Sequence, residues 1–190
     1  MAQPSLHVVA GAAVKAVESA FKKYIKWSEG EWLEVAPESF LQMEIANAFS
    51  GLSKKLFVTV ETSVKYIEEY SHCTIHGNAI DRRKRIDIVT WNRNWYPNYL
   101  CEVKKLKQTK TVEADAKRII SIMKCCDSIQ YGLLVLYVSN KKEETITNKL
   151  NKIQDKLNRF TLFGSRPPKK DKYYDWFWGG ACFYVSRKKL

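Results

Sequence analysis

No apolar run in this chain reaches the roughly 18 residues that a membrane-spanning helix needs, so such a helix is excluded. The early stretch from Leu6 to Val14 contains a histidine and has no basic segment ahead of it, and no signal peptide is expected. CxxC spacing is absent, and Cys73, Cys101, Cys125, Cys126 and Cys182 make an odd number, so neither a disulfide framework nor a zinc ribbon is indicated. His72, Cys73 and His76 lie close together but lack a fourth ligand at useful spacing, which argues against a soft-metal site. Free thiols suit a reducing compartment, and a cytoplasmic location is expected. No internal repeat and no convincing domain boundary occur. The 190 residues are therefore expected to form one domain around one core.

What the chain has in excess is positive charge, 32 Lys and Arg against 20 Asp and Glu, or +12. The surplus is unevenly placed. Residues 1–80 carry 7 basic and 9 acidic groups, residues 81–118 carry 11 and 5, residues 119–138 carry 1 of each, and residues 139–190 carry 13 and 5. A fold that gathers the later segments on one side presents a positive face to a polyanion, the footprint of a nucleic-acid binder. The plain alternative is a lysine-rich surface that serves solubility.

The hydrophobic pattern gives the element order α, α, β, β, β, α, β, α, β. A helix from Ser5 carries Val9, Ala12, Ala13, Ala16, Val17, Ala20 and Tyr24 near one face and ends near Gly30. Pro37, Glu38 and Ser39 start a second helix that Gly51 stops. Within it Glu44 falls roughly 60° from Leu41 and roughly 40° from Ala48, inside the apolar stripe. A strand opens at Leu56, and the stretch with Tyr66 and Ile67 either extends it or forms a separate short element. Ile86 to Trp91 and Tyr99 to Lys104 are strands joined by a turn-rich segment, a hairpin in prospect. Val112, Ala116, Ile119, Ile120 and Met123 mark a helix, and Gly132 to Val138 a strand covered on both faces. A helix over Glu143 to Phe160, a mobile loop over Gly164 to Lys172 and one or two strands over Asp175 to Ser186 close the chain. This is an α/β chain with a mixed central sheet flanked by helices. Residues 1–36 form an N-terminal helical extension, 38–138 the core, and 139–190 a C-terminal helix and strand with a basic loop.

Strand alternation puts Arg85, Asp87 and Val89 on one face and groups Leu100, Glu102 and Lys104 likewise, so the hairpin brings Asp87 near Glu102. Two carboxylates side by side in a sheet are unfavourable unless a cation joins them. Mg²⁺ fits, because it takes one or two carboxylates and leaves positions for water and phosphate oxygens. Lys104 is placed to orient or deprotonate a metal-bound water and to neutralise charge that develops on a phosphate.

Asp87, 14 intervening residues, then Glu102-Val103-Lys104, each acid in a β-rich segment, resembles the PD-(D/E)xK nuclease superfamily with its restriction-endonuclease-like αβββαβ core. The resemblance covers about residues 38–138, and Ile86 stands where the motif name has proline. It implies Glu44, Asp87 and Glu102 as metal ligands, Lys104 as the catalytic lysine, Mg²⁺ as cofactor with Mn²⁺ able to substitute, and a contact or assisting role for Lys117 or Arg118. A second [DE]xK match, Asp115-Ala116-Lys117, falls in a predicted helix.

Arg82, Arg83, Lys84, Arg85, Lys105, Lys117 and Arg118 are the candidate contacts to a nucleic-acid backbone; the plain alternatives are a charged loop for Arg82 to Arg85 and an ordinary helix surface, the commoner case, for Lys117 and Arg118. Trp91, Trp95, Tyr96 and Tyr99 stack on unpaired bases or pack the hairpin against its neighbours. The function expected is metal-dependent hydrolysis of DNA phosphodiester bonds. Its rivals are a non-catalytic nucleic-acid-binding module, or a subunit that needs a partner for activity. A homodimer is expected if both strands of a duplex are cut.

Overall fold

Residues 4–75, 81–106, 109–165, 168–171 and 175–190 are described by the computed structural model. Helix α1 (Leu6–Trp27) starts behind Ser5 in extended conformation and buries Val9, Ala13, Val17, Ala20 and Phe21, a stripe of helical period. Helix α2 (Glu38–Ser50) begins after Pro37 and buries Leu41, Ile45 and Phe49. Strand β1 (Phe57–Ser63) runs directly into helix α3 (Val64–Ser71). The Ser63 hydroxyl accepts the Tyr66 N–H at 3.2 Å, so a capped start turns the Tyr66–Ile67 stretch into a separate short helix instead of more strand. Strands β2 (Arg85–Trp91) and β3 (Pro97–Lys105) form the expected hairpin.

Helix α4 (Thr109–Cys125) leads to β4 (Tyr131–Asn140), and helix α5 (Glu143–Lys156) is followed by β5 (Thr161–Ser165), β6 (Lys169–Lys170) and β7 (Phe177–Ser186). The fifth helix thus ends before Phe160, and part of the loop expected over Gly164 to Lys172 is strand. Arg166, Pro167 and Lys172 lie outside the described residues.

Seven strands form one mixed sheet in the order β1-β2-β3-β4-β7-β5, with β6 also paired to β7. β3 and β4 are parallel, and the other pairings are antiparallel. The sheet is covered on both faces. One face packs on α1 and α2 through Ile88, Cys101, Val103, Leu133 and Val135. The other packs on α3, α4 and α5 through Val89, Leu100, Leu134, Leu136 and Phe183. No helix among the described residues is long and apolar enough to cross a membrane.

Gly132 sets how closely α4 approaches β4. A Cβ there would run into the branched Ile119 side chain and stand 3.0 Å from Met123 Sδ and 3.1 Å from Val185 Cγ1. Gly132→Ala is expected to destabilise the fold by about 1–3 kcal/mol, the usual cost of overpacking, read as a lower urea midpoint. An unchanged midpoint would show that α4 does not lie this close.

Cys73, just past α3, is joined to Cys126, just past α4, with their Cα atoms 5.4 Å apart. This corrects the expectation of five free thiols: Cys101, Cys125 and Cys182 remain free. Sequence spacing hides a pairing that depends on two helix ends meeting. A reducing compartment therefore no longer follows from cysteine usage. The Cys73 sulfur is also unavailable to the triplet with His72 and His76, and His76 lies outside the described residues.

Candidate active site

The antiparallel register of β2 and β3 pairs Val89 with Leu100 and Ile88 with Cys101, and its continuation sets Asp87 opposite Glu102. There the backbone ladder gives way to a side chain: Asp87 Oδ2 accepts the Val103 N–H at 2.7 Å. Glu102 is fully buried, and Asp87 retains only 8% exposure. Lys104, two residues on and on the same face, directs its Nζ into a ring of acids, 3.1 Å from Glu38, 3.6 Å from Asp87 and 3.8 Å from Asp115. Arg118 of α4 donates through Nε and Nη2 to Glu102 Oε1, at 3.1 and 2.6 Å, and through Nη2 to Asp115 Oδ1 at 2.7 Å. Six charged side chains from α2, β2, β3 and α4 thus meet at one end of the hairpin.

Burial raises the Glu102 carboxyl to about 9; the Asp87 and Asp115 charges add to the rise, and Arg118 opposes it. Burial beside Asp87 thus favours the protonated form of Glu102. As a carboxylate it would leave Oε2 buried with no donor, because Oε1 alone meets Arg118. Burial also raises Asp87, against the pull of Lys104 and the Val103 N–H. For Lys104, burial favours the neutral amine, but Asp87, Glu38 and Asp115 together outweigh it and hold the group above the ordinary lysine range. Lys104 is an ammonium here. It can orient a water and offset negative charge, whereas the role of proton acceptor is closed to it while those acids surround it.

Several candidate residues stand elsewhere. Glu44 is bonded to Lys23 of α1 through both oxygens, at 2.9 and 2.7 Å, and lies six residues beyond Glu38, about 9 Å along the axis of α2. Its position in the apolar stripe reflects the packing of α2 on α1. The α2 carboxylate that reaches the cluster is Glu38, whose Oε2 also accepts the Lys105 N–H at 3.2 Å. Lys105, half-buried, turns its ammonium to the carbonyl oxygens of Leu33, Glu34 and Ala36. Lys117 is exposed beside Glu113 and Lys156, on a different side of α4 from Arg118. Arg82 pairs with Glu68 at 3.1 Å, Arg83 with Asp81 at 3.1 Å, and Arg85 approaches Glu61 at 4.0 Å, while the Lys84 carbonyl caps the entry to α3 through the Val64 N–H. Trp91 and Tyr99 are buried, whereas Trp95 lies exposed against Phe57.

Glu38 and Asp115 were not among the expected site residues. Asp115 sits about 60° from Val112 and about 40° from Ile119 around α4, inside the apolar stripe, so the test that singled out Glu44 also selects it. Glu38 carried only the signal of a helix start.

No group of three or more His, Cys, Asp or Glu side chains among the described residues is arranged to hold a metal ion. Asp87 and Glu102 form a pair, and one or two carboxylates suffice for Mg²⁺. Glu102 Oε2, buried without a donor, and the Asp87 carboxylate opposite it are the oxygen atoms that would hold a divalent ion. No protein-family model matches the chain, and no curated protein or solved structure matches it either, so a functional reading stands on this geometry alone.

Proposed function

We propose that the chain is a metal-dependent nuclease that hydrolyses DNA phosphodiester bonds at the cluster of Asp87, Glu102 and Lys104. The observation that carries this reading is the pair of buried, opposed carboxylates on β2 and β3 with a fixed ammonium 3.6 Å from one of them. Helix α2, strands β1 to β3, helix α4 and strand β4 also follow in the order that the resemblance to PD-(D/E)xK nucleases implies, with α3 inserted. A divalent ion held by Asp87 and Glu102 would polarise the scissile phosphate and lower the pKa of a bound water. Arg118 holds Glu102 Oε1, which leaves the other oxygen without a donor and open to an ion. Lys104 offsets negative charge as it grows on the phosphate, and Glu38 and Asp115 keep that ammonium in place.

One observation favours a non-catalytic reading. Lys104 and Arg118 already bridge all four acids, so the cluster can serve as a structural knot. Labelled single-stranded, duplex and branched DNA incubated with the full chain, with and without Mg²⁺ or Mn²⁺, separates the two. Product that depends on the metal is expected. Binding with steep salt dependence and no product under either ion would replace the nuclease with a binding module.

A further inference from the structure

Past the carboxyl end of β3, on the sheet face that α1 and α2 cover, lies a small cavity of about 200 Å³ lined by Trp32, Glu34, Ser139 and Trp176. Its position is set by the same strand ends. β3 and β4 are the parallel pair of the sheet, in register from Tyr99↔Tyr131 to Lys105↔Tyr137, and Ser139 follows two residues later on β4. The crevice beyond the carboxyl ends of parallel strands is where open α/β sheets bind ligands. The Lys105 ammonium fastens the carbonyls of Leu33, Glu34 and Ala36 to the end of β3, and Glu38 takes the Lys105 N–H. The segment that carries Trp32 and Glu34 is thereby tied to the end of β3.

The lining is specific in chemistry. The Trp32 and Trp176 rings meet at 64° with centroids 5.6 Å apart, making an aromatic corner. Ser139 donates to Glu34 Oε2 at 3.0 Å, which fixes the carboxylate; among the described residues Oε1 has no donor. Lys141 places its ammonium over one face of the Trp176 ring, 5.9 Å from its centre, which leaves the other face to a guest. Drug-sized ligands occupy about 300–1,000 Å³, so this space suits a single ring system. A flat aromatic with an N–H donor on its edge and a phosphate attached matches the indole faces, the Glu34 acceptor and the Lys141 charge. A cationic guest matches less well, because Lys141 already brings positive charge to Trp176.

We infer that this pocket receives one unpaired, amino-bearing nucleobase of the strand whose phosphate lies at the Asp87 and Lys104 cluster, the ring stacked on Trp176 and its amine donating to Glu34. The assignment rests on the nuclease reading and names a subsite for its substrate. Cytosine, adenine and guanine offer an exocyclic amine to a carboxylate. Thymine offers a ring N–H flanked by two carbonyl oxygens, which the carboxylate repels.

The test is a metal-free titration of the full chain, by tryptophan fluorescence, with short oligo(dC) and oligo(dT), with dCMP, and with choline. Oligo(dC) is expected to bind about tenfold more tightly than oligo(dT), with Glu34→Gln removing the difference. Trp176→Leu, which keeps an apolar side chain, should weaken oligo(dC) by about 5- to 150-fold, the span for loss of one stacked base. An unchanged circular dichroism melt establishes that each variant is folded. Equal affinity for oligo(dC) and oligo(dT), or no effect of either variant, overturns the assignment. So does dCMP binding as tightly as the oligomer, which makes the ligand a free nucleotide, or choline binding that Trp176→Leu alone abolishes, which makes it a cation site. Because no metal and no cleavage enter the readout, variant-sensitive base binding by a chain that yields no product leaves the pocket standing and removes only the nuclease.

Discussion

Asp87→Asn is expected to lower metal-dependent cleavage by about 10³-fold or more while leaving the chain folded. A metal that polarises a phosphoryl oxygen contributes several kcal/mol to the barrier, and each 1.36 kcal/mol is a factor of ten in rate. The substitution is chosen because the asparagine oxygen can still accept the Val103 N–H that Asp87 Oδ2 accepts at 2.7 Å, so the closing contact of the hairpin survives. It also removes the Asp87 charge, which after burial is the largest influence raising Glu102. Lys104 keeps Glu38 and Asp115 as partners. The variant is therefore less strained electrostatically than the native chain, and loss of cleavage could not be assigned to unfolding. Binding to DNA in the absence of metal should be nearly unchanged, since it depends on phosphate contacts to basic groups. Cleavage rates within threefold of native would remove Asp87 from the site and the nuclease assignment with it.

The elements that made this site legible are those whose signals are local. Enrichment in β-branched and aromatic residues over Ile86 to Trp91 and Tyr99 to Lys104, with Asn and Pro between them, is enough to set a hairpin, and its register then places Asp87 opposite Glu102. The buried run from Gly132 to Val138 is recognisable for a similar reason, since a strand covered on both faces has no polar face to show. Features that depend on distant partners were hidden. β5 gains its hydrogen bonds from β7, and nothing in Thr161 to Ser165 alone distinguishes it from loop. Cys73 and Cys126 meet across 53 residues. Glu44 and Glu38 lie on the same helix, and choosing between them requires knowing that α1 covers the Glu44 side and supplies Lys23. The Asp115 motif falls in a helix, yet a helix packed against β3 brings a carboxylate to Lys104 as effectively as a strand does.

Glu102→Gln should stabilise the metal-free protein at neutral and higher pH and abolish its response to divalent ions. The sign follows from proton binding. The Glu102 carboxyl is raised from its ordinary 4.5 to about 9, so across that window the native state holds a proton that the unfolded chain has released. Its contribution to stability is fully present below about pH 4.5 and is lost as pH rises towards about 9, at up to about 1.4 kcal/mol per pH unit. Between pH 6 and 8 the native chain should therefore lose up to about 3 kcal/mol from this one group. Glutamine copies the protonated acid: its oxygen accepts from Arg118 and its NH₂ donates to Asp87, with nothing to titrate. The difference between the two proteins in urea midpoint should accordingly grow with pH and vanish near pH 4.5. Divalent ions act in the opposite direction, since they require the carboxylate and displace the proton. Mn²⁺ at about 100 times its dissociation constant should stabilise the native chain by about 2.7 kcal/mol, with apparent affinity rising with pH up to about 9, and should leave Glu102→Gln unmoved. Equal stabilisation of both proteins by Mn²⁺ would place the ion elsewhere, and a pH-independent difference between their midpoints would show that Glu102 is ionised in the native state.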